Sequence, residues 1–165
     1  MHINDIPDSG KVFIDANIFI YHFAGISKQS TRLFERIRDG ELTGSVNTII
    51  LAEVLHRRMI AEAIEKGLVT SKNAVRRLKE RPDFVKSLTQ YSKDVQDIIQ
   101  IPLTVESITK ADILASANTR RVHGVLTNDS IILATMERLS IVDFVTHDND
   151  FDDISKLKLW KPNDI

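Results

Sequence analysis

The chain has 165 residues, no cysteine and a formal net charge of −1, with 42% hydrophobic and 27% charged residues. This is the composition of a single domain that buries a core, and the lack of cysteine excludes disulfides, thiolate metal sites and a cysteine nucleophile. No apolar run approaches the ~20 residues of a membrane span, and Asp5 and Asp8 interrupt any signal-peptide pattern, so a cytoplasmic location is expected.

In chain order, Lys11–Asp15 reads as a strand that ends on a carboxylate, followed by a helix through Ile18, Tyr21 and His22. Thr31–Asp39 has helical spacing and stops at Gly40; Leu42–Val46 reads as a short second strand. From Thr48 to about Lys66 apolar residues recur at three- and four-residue steps, which predicts a long amphipathic helix ending at Gly67. Thr70 and Ser71 are candidate caps for a helix carrying Val75 and Leu78 that stops around Pro82, and Phe84–Gln100 reads as one further helix. Ile101–Val105 is extended, Ser107–Val122 helical up to Gly124, and Asp129 is expected just before a helix over Ile131–Leu139. Val142–Thr146 is a short apolar strand, and Leu157–Trp160 alternates weakly, as an edge strand does. Strands alternating with helices predict an α/β fold with a mostly parallel sheet.

Charge is unevenly spread. Between Val54 and Arg81 eight Lys or Arg face three acids, whereas Asp143–Asp153 holds five Asp and no Lys or Arg. Such a chain can hold a polyanion with one stretch and a cation with the other. Ligands of open parallel sheets bind beyond the carboxyl ends of the strands. Asp15 follows the first strand directly, Asp148 follows the Val142–Thr146 strand by one residue, Asp129 sits near a helix N-terminus, and Glu53 stands among apolar neighbours in its helix. Singly, Asp15 and Asp129 also read as helix caps or first-turn acids, Asp148 as a turn residue, and Glu53 as the polar edge of a helix. Gathered, the four carboxylates would repel one another unless a divalent cation lay between them. An oxygen-only set suits Mg²⁺ or Mn²⁺, which lowers the pKa of a water and neutralises charge at phosphorus.

The stretches "KVFIDANIFIYHFAG", "SVNTIILAEVLHR", "LTNDSIILATMERLSI" and "VDFVTHDNDF", in that order, resemble the PIN-domain ribonucleases, and within them the prokaryotic toxins called VapC. The family's four acids fall on Asp15, Glu53, Asp129 and Asp148; Asp150 matches a frequent further acid and Asn17 a polar residue that supports the first one. The resemblance implies a single domain over residues 1–165, built as a three-layer α/β/α sandwich around a parallel sheet of four to five strands. Residues 61–101, longer and more basic than in a compact toxin, would be a helical insertion within it. It further implies a Mg²⁺- or Mn²⁺-dependent endoribonuclease that leaves 5′-phosphate and 3′-hydroxyl ends, acting as the toxin of a toxin–antitoxin pair. RNA would be its substrate, an antitoxin its protein partner and a homodimer its assembly. An RNA-processing enzyme, a DNA nuclease or a non-catalytic nucleic-acid-binding module are the alternatives.

Arg57, one helical turn beyond Glu53, is expected at the rim of the acidic site, and Arg58, Arg76 and Arg77 are further candidate RNA contacts. Asp112 is a rival acid expected to be a solvated helix residue. His56 lacks the second Glu-x-x-His of a di-iron bundle, and strand alternation is expected to turn His147 away from the site. Neither a G-x-x-x-x-G-K-[ST] loop nor a G-x-G-x-x-G turn is present, which argues against nucleotide hydrolysis and dinucleotide binding.

Overall fold

The computed structural model of the chain describes residues 1–165. Five short strands form one parallel sheet: β1 (Lys11–Ile14), β2 (Thr43–Asn47), β3 (Thr104–Glu106), β4 (Asp143–Val145) and β5 (Lys158–Trp160). Their spatial order is β3-β2-β1-β4-β5. Parallel strands need crossover connections, and the helices that supply them cover both faces of the sheet, giving three layers. That is why the central strand is a continuous apolar run: Val12, Phe13 and Ile14 are all fully buried. The pairing sets Phe13 opposite Ser45 on one side and Phe144 on the other.

The crossovers are α1 (Ala16–Phe23) and α2 (Lys28–Arg38), then the 18-residue α3 (Thr48–Glu65). Next come α4 (Ala74–Glu80), α5 (Pro82–Ser87) and α6 (Gln90–Gln100), and finally α7 (Lys110–His123) and α8 (Thr127–Arg138). One core runs through the sheet and the helices beside it, with Phe144 packed edge-on against Phe151 at 5.0 Å and Phe19 against Phe34 at 4.8 Å. Truncating one such ring to Ala costs about 3–5 kcal/mol. Gly44 of β2 has no room for a side chain, because a Cβ there would stand 2.8 Å from Ile37 Cδ1 and closer still to Leu103 Cδ2.

A satellite core lies between the second half of α3 and α4–α6, built from Ala63, Val69, Ala74, Leu78 and Leu88. Two buried ionic contacts fix it. Arg58 Nε donates to Asp94 Oδ2 at 2.6 Å, with both side chains almost fully buried. Glu62 receives the backbone N–H groups of Thr89 (2.9 Å) and Tyr91 (3.0 Å) and pairs with Lys66 at 2.7 Å. Burial opposes its ionisation, but the Lys66 ammonium and these amides outweigh it and hold the Glu62 carboxyl down at about 2.

This network explains where the helices depart from expectation. Instead of one helix over Phe84–Gln100 there are two, because Leu88 turns extended and drops into the satellite core. Thr89 makes no side-chain cap, and Glu62 of α3 satisfies the first amides of α6 in its place. The helix carrying Val75 and Leu78 does stop just before Pro82, at Glu80, and Pro82 itself opens α5, where its missing N–H has no partner to lose. Asn73, not Thr70 or Ser71, precedes α4. Helix α8 begins at Thr127, so Asp129 lies inside its first turn rather than ahead of it. No helix is long and apolar enough to cross a membrane.

Candidate acidic site

The strand order reverses direction between β1 and β4, so the crevice beyond their carboxyl ends is the switch point where open α/β sheets bind ligands. The residues immediately past the two strands are Asp15 and Thr146, and the Asp15 amide donates across to the Val145 carbonyl at 3.0 Å. Asp15 is only 7% exposed. Its Oδ1 accepts the Ala16 N–H at 2.7 Å, which caps α1; its Oδ2 accepts the Thr146 hydroxyl at 2.6 Å and the Asn17 amide at 2.7 Å. The cap and the site are therefore one residue, and Asn17 does support Asp15 as a donor.

Thr146, fully buried, also accepts the Asp148 N–H at 3.0 Å, while Asp148 Oδ1 takes the Asp150 N–H at 2.9 Å and caps a short 3-10 turn over Asn149–Phe151. One hydroxyl thus ties the end of β1 to the acidic loop after β4. Nothing in the sequence alone assigns Thr146 a role, although "VDFVTHDNDF" contains it; a hydroxyl residue two positions before an acid is the available signal.

Glu53, in the second turn of α3, is one-third exposed and pairs with Arg57 at 3.2 Å, as the four-residue spacing predicts. Asp129 lines a cavity of about 470 Å³ with Glu53, Leu126, Thr127 and Asn128. A second cavity of about 440 Å³ beside it reaches Asp150 and Asp153.

The electrostatics show that these acids face one another. Burial pushes the Asp15 carboxyl up to about 6, against the Thr146 and Ala16 hydrogen bonds, and the charges of Glu53 and Asp148 push the same way. Burial also raises Asp129, joined by repulsion from Asp148, Asp150 and Glu53. Tyr21 is raised by burial, lowered by Arg57, and raised again by Asp15 and Asp148, so its phenol stands in the same field. Its hydroxyl lies 3.2 Å from Nδ1 of His147, which therefore borders the site despite the expectation from strand alternation.

As placed, no three His, Asp or Glu side chains stand close enough to ligate one ion together. The donors nonetheless suit a hard divalent cation: they are all carboxylate oxygens, and burial, with repulsion from neighbouring acids added to it, holds Asp15 and Asp129 above their ordinary pKa.

Two expected residues belong elsewhere. Arg58 is 6% exposed and locked to Asp94, so it has no free guanidinium to offer RNA. Asp112 is not solvated: at 1% exposure it closes a capping box with Thr109 and pairs with Arg138 at 2.9 Å, outside the acidic site. Arg76 is exposed and Arg77 half-buried on α4, where both approach Glu80.

Comparison with known proteins bears on the family and the fold. The chain is 27% identical over 153 residues to Ribonuclease VapC2 of Methanocaldococcus jannaschii, covering 92% of this chain and 94% of that protein. A toxin–antitoxin complex from Klebsiella pneumoniae shares its fold with a TM-score of 0.58 at 16% identity, over 89% of this chain and 95% of that one. The Mycobacterium tuberculosis toxin VapC20, which cleaves the sarcin–ricin loop, does so with a TM-score of 0.57 at 15% identity, over 87% and 94%. Residues 12–157 match the PIN domain, nearly the full length described by the strands and the acidic loops, and the chain belongs to that family.

Proposed function

We propose that the chain is a Mg²⁺- or Mn²⁺-dependent endoribonuclease whose ion is held by Asp15, Glu53, Asp129 and Asp148, with Asp150 beside them, and that it is the toxin of a toxin–antitoxin pair. The observation that carries this is Asp15, a buried carboxylate at the sheet's switch point, raised to about 6 and surrounded by acids instead of by bases. The name of its relative, Ribonuclease VapC2, supports RNA as the substrate, and the toxin–antitoxin complex among its fold neighbours supports an antitoxin as partner. Exposed apolar side chains on α7, Ile113, Leu114 and Val122, support a protein partner, whether the antitoxin or a second copy.

The chain's own residues have distinct tasks. Thr146, Asn17 and the Ala16 amide fix the orientation of the Asp15 carboxylate. The Thr146 hydroxyl and the Asp150 amide set Asp148. Arg57 places a positive charge beside Glu53, where it can meet a backbone phosphate. Bound among these acids, a divalent ion supplies an activated water for in-line hydrolysis and neutralises charge on the leaving oxygen.

The test is cleavage of single-stranded RNA, tRNA and flap DNA by the purified chain with Mn²⁺, with EDTA, and with Asp15→Asn. Metal-dependent RNA cleavage that the variant loses is the expected result. Undiminished cleavage by Asp15→Asn would overturn the assignment, and preference for flap DNA would make the chain a DNA nuclease.

A further inference from the structure

The acidic mouth repels the phosphates it must accept, so the rest of an RNA strand needs an attractive surface elsewhere. A census of the basic stretch after Val54 shows where one is. Arg57 is held by Glu53, Arg58 by Asp94, Lys66 by Glu62 and Arg77 by Glu80 at 3.2 Å. Arg81 is held by Asp83 at 2.7 Å and lies over the Phe84 ring. Three cations are left. Lys72 and Lys79 have no acidic partner within 4.0 Å, and Arg76, 74% exposed, reaches Glu80 only at 3.9 Å. These three are the cations that line one concavity of about 480 Å³ on α4 and the turn before it, together with the polar side chains of Ser71 and Asn73 and with no acid.

Resting on the ribonuclease reading above, we propose that Lys72, Arg76 and Lys79 form an anchor for the RNA backbone, separate from the scissile site. Helix α3 sets the distance between the two. It carries Glu53 near its start, and α4 follows its end at Glu65. Twelve residues at 1.5 Å each carry α3 roughly 18 Å from Glu53 to its end, and α4 packs back on the second half of that helix, so the anchor lies along this arm and away from the scissile site. At about 3.4 Å per stacked nucleotide, an RNA that reaches it from the cleaved bond spans several nucleotides. The buried Arg58–Asp94 pair and Glu62 fasten α6 to α3, and the satellite core packs α4 against the same helix, so the anchor is held in place relative to α3. The anchor reads charge and not sequence, since no aromatic side chain lines it.

The experiment is fluorescence anisotropy of 5′-fluorescein oligouridylates of 4 and 20 nucleotides in EDTA, where binding is read without cleavage. The full chain is compared with the triple variant Lys72→Gln/Arg76→Gln/Lys79→Gln and with the double variant Arg32→Gln/Arg81→Gln, in which Arg32 is paired with Glu35 at 3.5 Å, each first shown by circular dichroism to be folded. The triple variant is expected to lose about tenfold or more of the preference for the 20-mer over the 4-mer. Its log–log salt slope on the 20-mer should shrink by about 2, from about 0.7 per phosphate contact. The double variant, whose cations are already paired, is expected to keep both. Equal behaviour of the triple variant and the full chain overturns the anchor, as does an equal loss in the double variant, which would make net charge the cause. Poly-glutamate that displaces the 20-mer with the same dependence on the three residues would replace RNA with an acidic protein segment as occupant. Binding that follows the expected pattern in a chain that cleaves nothing removes the nuclease reading alone, and cleavage without the pattern removes the anchor alone.

Discussion

Replacing Asp15 by Asn should stabilise the metal-free protein at neutral pH. The carboxyl is 7% exposed and its pKa rises from 3.8 to about 6, chiefly through burial. That interval corresponds to ~3 kcal/mol of unfavourable free energy for holding the ionised form in the fold. The sign follows from the direction: a carboxyl raised in the folded state favours folding below about pH 4, and this advantage is lost as pH climbs through 6. Asn keeps the shape and an oxygen for the Ala16 amide, but its own amide then meets the Asn17 amide and the Thr146 hydroxyl that Oδ2 accepts, forfeiting two hydrogen bonds of about 0.5–1 kcal/mol each. The net expectation at pH 7.5 is a gain of ~1–2 kcal/mol, or roughly 3–6 °C in Tm for a chain of this length. Differential scanning fluorimetry in EDTA at pH 7.5 and pH 4 reads it directly. The gain should appear at pH 7.5 and vanish or reverse at pH 4, where parent and variant are both uncharged. Millimolar Mn²⁺ should then raise the Tm of the parent and not of the variant, by the linkage that stabilises whatever binds the native state. A variant less stable than the parent by the same margin at both pH values would refute the reasoning, because the hydrogen bonds of Asp15 would then outweigh its charge.

Thr146→Val keeps the volume and removes the hydroxyl shared by Asp15 and Asp148. It should reduce stability by ~1–3 kcal/mol in chemical denaturation and raise the Asp15 pKa further, displacing any pH–cleavage profile to higher pH. Arg58→Met alone should cost about 3–5 kcal/mol by stranding Asp94, whereas Arg58→Met/Asp94→Leu should recover most of it; urea titrations of the full cycle measure the coupling. Arg57→Gln should tighten Mn²⁺ binding by roughly twofold to fivefold, as read by thermal titration, because it removes a positive charge at an effective separation of several ångströms while leaving every acid in place.

What the sequence revealed follows from how local each signal is. The parallel sheet, the long α3 and the Gly124 stop of α7 rest on periodicity and single-residue conformational preference, and all three are present. Asp15 stands out in the sequence because it directly follows a recognisable strand, and Asp148 because it lies just past another. The split at Leu88–Thr89 was not, since it depends on Glu62, some 27 residues earlier, offering its carboxylate to two amides. The fate of Arg58 and Asp112 was hidden for the same reason: a charge reads as solvated until its partner, Asp94 or Arg138, is brought beside it by tertiary packing. Thr146 shows the converse. Its place in the pattern is local, but its meaning comes from β1 and β4 being neighbours, which only the sheet order supplies.

The carboxylates fall into two mechanical classes, which bears on why no three of them converge on one point. Asp15 and Asp148 have their oxygens committed to fixed donors at the ends of adjacent strands. Glu53 is restrained only by Arg57, an ion pair with one side chain 33% and the other 52% exposed, and such pairs contribute about 0–1 kcal/mol. On the proposed ribonuclease reading, a divalent cation would compete with so weak a pair for Glu53, and Arg57, once released, would be free to meet a phosphate arriving later. The ordering this implies is cation first, then RNA, with Arg57 passing from carboxylate to phosphate. It also explains why one helical turn separates Glu53 from Arg57. A guanidinium placed there neutralises the most mobile acid of the metal-free protein, and it stands within reach of the substrate afterwards.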